Sequence, residues 1–116
     1  GLTAAYFINR LGHDAVVYEG SLRLGGLLRT GLAENRLPQD VLDWEINGIL
    51  DAGVEAKVNQ KLGKDFTVES LLKEGFLAAF AATGAAAITM SLSLKPSMAT
   101  SLLVWVMPRL ACFVAM

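Results

Sequence analysis

Apolar positions recur at helical spacing in three stretches and cluster in short runs between them. Leu2, Ala5 and Ile8 share one face of a helix predicted over residues 2–11, with Gly12 as its terminator. His13-Asp14 make a turn. Residues 15–18 (AVVY) are then apolar on both faces, as in a buried parallel strand, and end at Glu19. The clearest helix follows Pro38. Leu42, Ile46, Ile49 and Leu50 make one apolar face, Pro38 suits the first helical position, Asp40 and Asp43 favour the amino-terminal end, and Gly53 suits the carboxyl-terminal cap. Val54, Ala56 and Val58 alternate with Glu55 and Lys57, a half-exposed strand. Thr67 is the candidate cap of a short helix through Lys73, closed by Gly75, and residues 76–82 read as another buried strand closed by Thr83-Gly84. Helices thus alternate with strands, and the expected class is α/β with a parallel sheet.

Two regions break this rhythm. Residues 20–37 (GSLRLGGLLRTGLAENRL) have poor periodicity, four glycines and three arginines, the chemistry of a long loop, and loops of that length are usually functional. After Glu74 no acidic residue follows, and Lys95 and Arg109 are the remaining charges. Residues 75–94 could match the ~20 apolar residues that span a bilayer, yet they are mostly small or hydroxylated, which argues against a spanning helix. Residues 97–116 are interrupted by Pro108 and Arg109.

Composition narrows the chemistry. The chain has 116 residues, enough for one modest core, and a net charge of −1, which gives no reason to expect nucleic acid as a partner. One cysteine, Cys112, excludes an internal disulfide, and one histidine, His13, excludes a histidine metal cluster. Cys112 is expected to be a buried inert thiol, His13 a solvent-exposed turn residue, and Trp44 a packing residue. Arg23 and Arg29 suit either phosphate or solvent. No signal peptide is visible, and the start at Gly1 reads as cut or incomplete.

The candidate site begins with Gly1, which opens a helix, and Glu19, 18 residues on at a strand end. In dinucleotide-binding units the last glycine of G-x-G-x-x-G permits close helix–strand packing, and an acid at the second strand's tip accepts from ribose hydroxyls. A carboxylate suits that role because it only accepts. Alone, Gly1 and Glu19 read rather as a cut end and a solvated strand terminus. Gly25-Gly26, placed as E-x5-G-G after Glu19, would let the backbone approach a ligand closely, or make a plain turn.

Residues 25–38, GGLLRTGLAENRLP, resemble the G-G-x-L-x-x-G-I-P-x-[FY]-[RK]-L-P segment of the glutamate synthase small-subunit family of flavoprotein oxidoreductases. The likeness continues through QDVLDWEINGILDAGVEA and KLGKDFTVESLLKEGF to Ala82-Thr83-Gly84, colinear over residues 1–84. It implies a partial Rossmann-like FAD-binding domain whose parallel sheet lacks its first strand. It implies cofactor-binding roles for Gly1, Glu19, Gly25, Gly26, Leu27, Arg36, Leu62, Thr83 and Gly84, with no catalytic residue and no metal ligand. Ala33 replaces a family proline, Asn35 an aromatic and Leu77 an aspartate, which leaves the local loop geometry open.

The resemblance further implies a cytoplasmic parent that binds FAD, takes a hydride from NAD(P)H and passes electrons on, with a large catalytic subunit or an iron–sulfur protein as partner. Any iron–sulfur cluster would lie on sequence outside this chain. The fragment itself is expected to bind FAD weakly or not at all. The likeness stops after Gly84, so residues 85–116 are an apolar tail of unknown origin, with an out-of-frame product as one reading. Two alternatives stand beside the oxidoreductase fragment: a non-catalytic α/β binding module with a decayed nucleotide site, and a small membrane-associated protein using residues 75–116.

Overall fold

A computed structural model of the chain describes residues 1–82 and the backbone of Ala111–Ala115. It is a mixed α/β structure. In chain order its elements are α1 (Leu2–Arg10), β1 (Ala15–Glu19), α2 (Gly26–Thr30), α3 (Gln39–Asp51), β2 (Glu55–Lys57), α4 (Val68–Lys73), β3 (Ala78–Ala81) and β4 (Ala111–Ala115). The strands form a small parallel sheet in the order β2-β1-β4-β3.

Strand β1 carries the core. All five of its residues are buried, and their alternation sends them to opposite faces. Ala15 and Val17 pack with Ala5 of α1, Leu42 and Ile46 of α3, Leu24 and Val54. Val16 and Tyr18 pack with Leu71 of α4, Phe76 and the half-buried Phe66. The Tyr18 ring lies 4.7 Å from that of Phe66 and 6.3 Å from that of Phe76. Helices therefore cover β1 from both sides, which explains why its sequence is apolar without alternation.

The helix boundaries follow local chemistry. Helix α3 buries Leu42 and Ile46, half-buries Ile49 and Leu50, and stops at Ala52; Gly53 follows at φ 107°, where its N–H donates to the Leu50 carbonyl. Pro38 caps this helix from outside, one position before its expected place. Thr67 caps α4 in a reciprocal arrangement: the Ser70 N–H donates to Thr67 Oγ1 at 3.1 Å, and the Thr67 N–H donates to Ser70 Oγ at 3.0 Å.

Five expectations need correction. The loop over residues 20–37 contains α2, a single turn and a half held by the Leu28 N–H to Gly25 O and the Gly31 N–H to Leu27 O. The strand expected over residues 76–82 is shorter, and Ala78–Ala81 is half-buried to exposed because β3 lies at the end of the sheet order. Trp44 is 72% exposed and does not pack in the core, whereas His13 is half-buried. The sheet is not left with a gap beside β1, because β4 lies there and pairs with both β1 and β3. Residues Thr83 and Gly84, the Cys112 side chain and most of the stretch considered as a membrane segment lie outside the described residues. Among the described residues no helix is long and apolar enough to cross a membrane.

Candidate functional site

Glu19 ends β1 and shares the parity of Ala15 and Val17, so its side chain belongs to the sheet face covered by α1 and α3. It is 2% exposed, the one buried charged residue among those described. Burial of a carboxylate demands hydrogen bonds, and Ser21 provides them. The Ser21 N–H donates to Glu19 Oε1 at 2.8 Å. The Ser21 hydroxyl lies 2.8 Å from the same oxygen and 2.7 Å from the Arg23 carbonyl, so its single proton serves one acceptor at a time. Both contacts fall on Oε1; among the described residues no hydrogen bond is made to Oε2. The strand end is fixed from the other side as well, since the Gln60 N–H donates to the Glu19 carbonyl at 2.9 Å and the Asn59 N–H to the Ser21 carbonyl at 2.8 Å.

A cleft of about 490 Å³ opens in front of this carboxylate. Gly1, Glu19, Gly25, Gly26 and Leu27 line it, with Leu42 and Ile46 of α3 as part of its apolar wall. The amino-terminal residues of α1, Leu2 and Thr3, reach it too, so the helix end with unsatisfied N–H groups faces the same space. Five of the nine candidate residues are thereby brought together. Ala82, the last residue before Thr83, also lines the cleft.

The paired glycines divide the work. Gly25 stands at φ 121°, and a Cβ there would meet Leu42 Cδ2 at 3.2 Å and Arg29 Nε at 3.3 Å. Glycine is favoured there first by that positive φ, which L side chains rarely adopt, and then by the crowding of Leu42 on α3 and Arg29 on α2. Gly26, at φ 49°, would place a Cβ with no atom of the described residues within 4 Å, and its bare backbone lines the cleft.

Arg29, which the sequence left between phosphate and solvent, does neither. Its Nε donates to the Leu24 carbonyl at 2.6 Å, Nη1 to Gln39 Oε1 at 2.9 Å, and Nη2 to the Asp43 carboxylate. The side chain is 11% exposed. Arg23 joins the same carboxylate at 2.9 Å from a more exposed position. The hydrogen bond from Arg29, aided by the positive charge of both arginines, holds the Asp43 carboxyl below the usual carboxylate range. This clamp ties the Gly25-Gly26 segment to α3, and only the spatial meeting of Arg29 with Asp43, 14 positions apart, reveals it.

Two candidates lie elsewhere. Arg36 is exposed and does not line the cleft, although its neighbour Leu37 does; its N–H donates to the Ala33 carbonyl. Leu62 is half-buried in a bridge with Phe66, beyond the Asn59–Gln60 contact with the strand end, and does not line the cleft.

Comparison with known proteins bears on this arrangement. No family model matches the chain, and no solved structure matches it. Among curated proteins it is 43% identical over 74 residues to the NAD-dependent dihydropyrimidine dehydrogenase subunit PreT of Escherichia coli O157:H7. It is 37% identical over 84 residues to the NADP(+)-dependent formate dehydrogenase subunit beta of Moorella thermoacetica. It is 34% identical over 85 residues to the glutamate synthase [NADPH] small chain of Bacillus subtilis (strain 168). These matches take in 64%, 72% and 73% of the chain, but 18%, 12% and 17% of the respective relatives, so the chain spans less than a fifth of their length. Over that stretch the chain is a homologue of the NAD(P)-dependent oxidoreductase family that includes the glutamate synthase small chain.

Proposed function

We propose that the cleft receives the adenosine end of FAD, and that the chain is a segment of an oxidoreductase that takes a hydride from NAD(P)H. The observation that carries this reading is Glu19: a buried carboxylate at a strand end, with Oε1 held by Ser21, lining a cleft that the bare backbone of Gly26 also lines. The donor set suits a ribose, because Oε2 can accept from a hydroxyl while Oε1 stays fixed. The amino-terminal end of α1 suits the neighbouring phosphate. In this reading the fold is a Rossmann-like domain, with ligand at the carboxyl ends of parallel strands.

When bound, FAD supplies hydride and single-electron transfer, and the protein supplies position and polarity. Glu19 would hold the ribose, Gly26 would admit the backbone-facing part of the cofactor, and Leu27, 67% exposed, would offer apolar cover. The electron acceptor, a larger subunit or iron–sulfur partner and a cytoplasmic setting follow from the family resemblance and belong to the same proposal. A weakened, non-catalytic binding module is the second reading, and the exposed position of Arg36 away from the cleft favours it.

The test is titration of the chain with FAD to millimolar concentration, followed by NMR line broadening of the cofactor. Binding should be weak but measurable. Glu19→Gln should reduce it about tenfold or more, since a hydrogen bond to a charged acceptor contributes ~1.5–3 kcal/mol. Equal FAD binding by Glu19→Gln would remove Glu19 from the site. A colourless full-length protein containing this segment would remove FAD altogether.

A further inference from the structure

A second concavity lies between α1 and α3. It is a groove of about 510 Å³ whose lining includes Thr3 and Tyr6 of α1 and Trp44, Glu45, Gly48 and Asp51 of α3. Trp44, Gly48 and Asp51 stand at i, i+4 and i+7, so they form one stripe on the side of α3 opposite the buried Leu42 and Ile46.

Three features define what this groove accepts. Trp44 is 72% exposed, so it presents an indole face that the core does not use, and the half-buried Tyr6 adds a second ring on the α1 side. Glu45 and Asp51 bring two carboxylates, no lysine, arginine or histidine is among the lining residues, and among the described residues neither acid forms an ion pair. Gly48 lies inside α3, where glycine weakens a helix relative to alanine. Its φ is not positive, and a Cβ there would meet no atom of the described residues within 4 Å. Neither backbone conformation nor internal packing asks for glycine at this position, whereas a bare backbone admits close approach from outside.

Ring faces beside unpaired carboxylates select a cation with flat, weakly hydrated faces. A guanidinium meets both demands, since it stacks on an aromatic ring and pairs with a carboxylate through its planar fork; an ammonium is compact and strongly hydrated. The chain makes the ring contact once by itself: Arg10 Cζ lies 5.8 Å from the centre of the Tyr6 ring, and Nη1 donates to the Tyr6 hydroxyl at 3.1 Å. We infer that the groove between α1 and α3 is a docking site for an arginine side chain presented by a partner polypeptide. Asp51 and Glu45 answer its charge, Trp44 gives the ring face, and Gly48 gives the floor. The groove adjoins the cleft, since Thr3 and Glu45 line both. The inference uses no property of FAD, and Trp44, Gly48 and Asp51 line the groove and not the cleft, so it stands or falls separately from the cleft reading.

The test is titration of the full chain with the peptide acetyl-Gly-Gly-Arg-Gly-Gly-amide, followed by NMR of the Trp44 indole N–H and the Gly48 backbone N–H. Both should shift saturably with a dissociation constant in the millimolar range, as suits one exposed ring contact and a screened ion pair. A citrulline peptide, of the same shape without the charge, should bind at least about fivefold more weakly, and a lysine peptide about threefold more weakly. Asp51→Asn should weaken the arginine peptide about threefold. Gly48→Gln should raise the urea midpoint, because glutamine is the better helix former, and yet weaken the peptide about tenfold by filling the floor; a merely structural glycine would move the midpoint and leave the affinity alone. Absence of saturable shifts, equal binding of the citrulline or lysine peptide, or wild-type affinity in Gly48→Gln would overturn the inference. Shifts of the same groups with chain concentration in the absence of peptide would put a second copy of the chain in the groove and overturn it too.

Discussion

Replacing Arg29 by methionine tests whether the glycine segment beside the cleft is held by the clamp on α3. Methionine keeps most of the aliphatic stem and removes the donors. The loss is dominated by the Leu24 carbonyl, which accepts from Nε at 2.6 Å next to a buried side chain. An acceptor left without its partner in such a place costs ~1–3 kcal/mol. The half-buried contact with Gln39 adds a smaller amount. The Asp43 pair is open to water on its acid side and is left out of the sum because solvent screens it. Arg29→Met should therefore lower the unfolding free energy by about 2 kcal/mol, which at a urea slope of ~1–3 kcal/mol/M moves the midpoint by about 1 M. The same variant should raise the Asp43 titration midpoint, followed by carbon NMR of the carboxyl. A urea midpoint within about 0.2 M of wild type would refute the clamp, since the slope would then leave well under 1 kcal/mol to it. An unchanged Asp43 titration would refute the assignment of its lowered pKa to Arg29.

Three further outcomes follow from the same geometry. Because the Asp43 pKa is lowered in the folded chain, its stabilisation is complete above the ordinary carboxylate value of ~3.9 and is lost as pH falls through the lower folded value. Acid unfolding curves should thus be steeper for wild type than for Arg29→Met below about pH 4. Gly25→Ala should cost about 1–3 kcal/mol through its positive φ and its contacts with Leu42 and Arg29, with faster hydrogen exchange confined first to Leu24–Leu28; unchanged stability would mean that the turn does not need glycine. Thr67→Ala should cost about 1 kcal/mol by chemical denaturation, and Thr67→Ser should recover most of it; equal losses would show that the cap contributes nothing.

The parts of the fold legible in the sequence are those specified within a few residues. Gly12 and Gly53 stop helices because each adopts positive φ after the last turn, and Thr67 starts one because its hydroxyl reaches the Ser70 N–H. The face of Leu42 and Ile46 was visible from spacing alone. Helix α2 was not. It has five residues, begins with glycine and buries none of them, so neither periodicity nor propensity marks it; Arg29, tied at its far end to Gln39 and Asp43, is what anchors it. Strand β4 was hidden for a different reason. Its residues follow Pro108 and Arg109 in an apolar stretch with no alternation to mark a strand, and their pairing partner β1 lies in a distant part of the chain.

The same division applies to the site. Glu19 was readable as the acid at a strand tip, and Gly25-Gly26 as the bare backbone after it, because both depend on spacing along one loop. Their separate roles were not readable, since Gly25 is constrained by Leu42 and Arg29 while Gly26 faces open space. Arg36 marks the limit of that reading: its position matches the motif, yet its side chain is exposed and is not among the residues that line the cleft. The cleft thus depends on two supports behind it. Ser21 with Asn59 and Gln60 fixes the acid, and Arg29 on Asp43 fixes the glycines. If the supports act separately, Arg29→Met should loosen the Gly25-Gly26 wall while leaving Glu19 bonded to Ser21. Cofactor affinity would then fall in Arg29→Met through the wall alone, and the effect of Glu19→Gln should add to it without coupling.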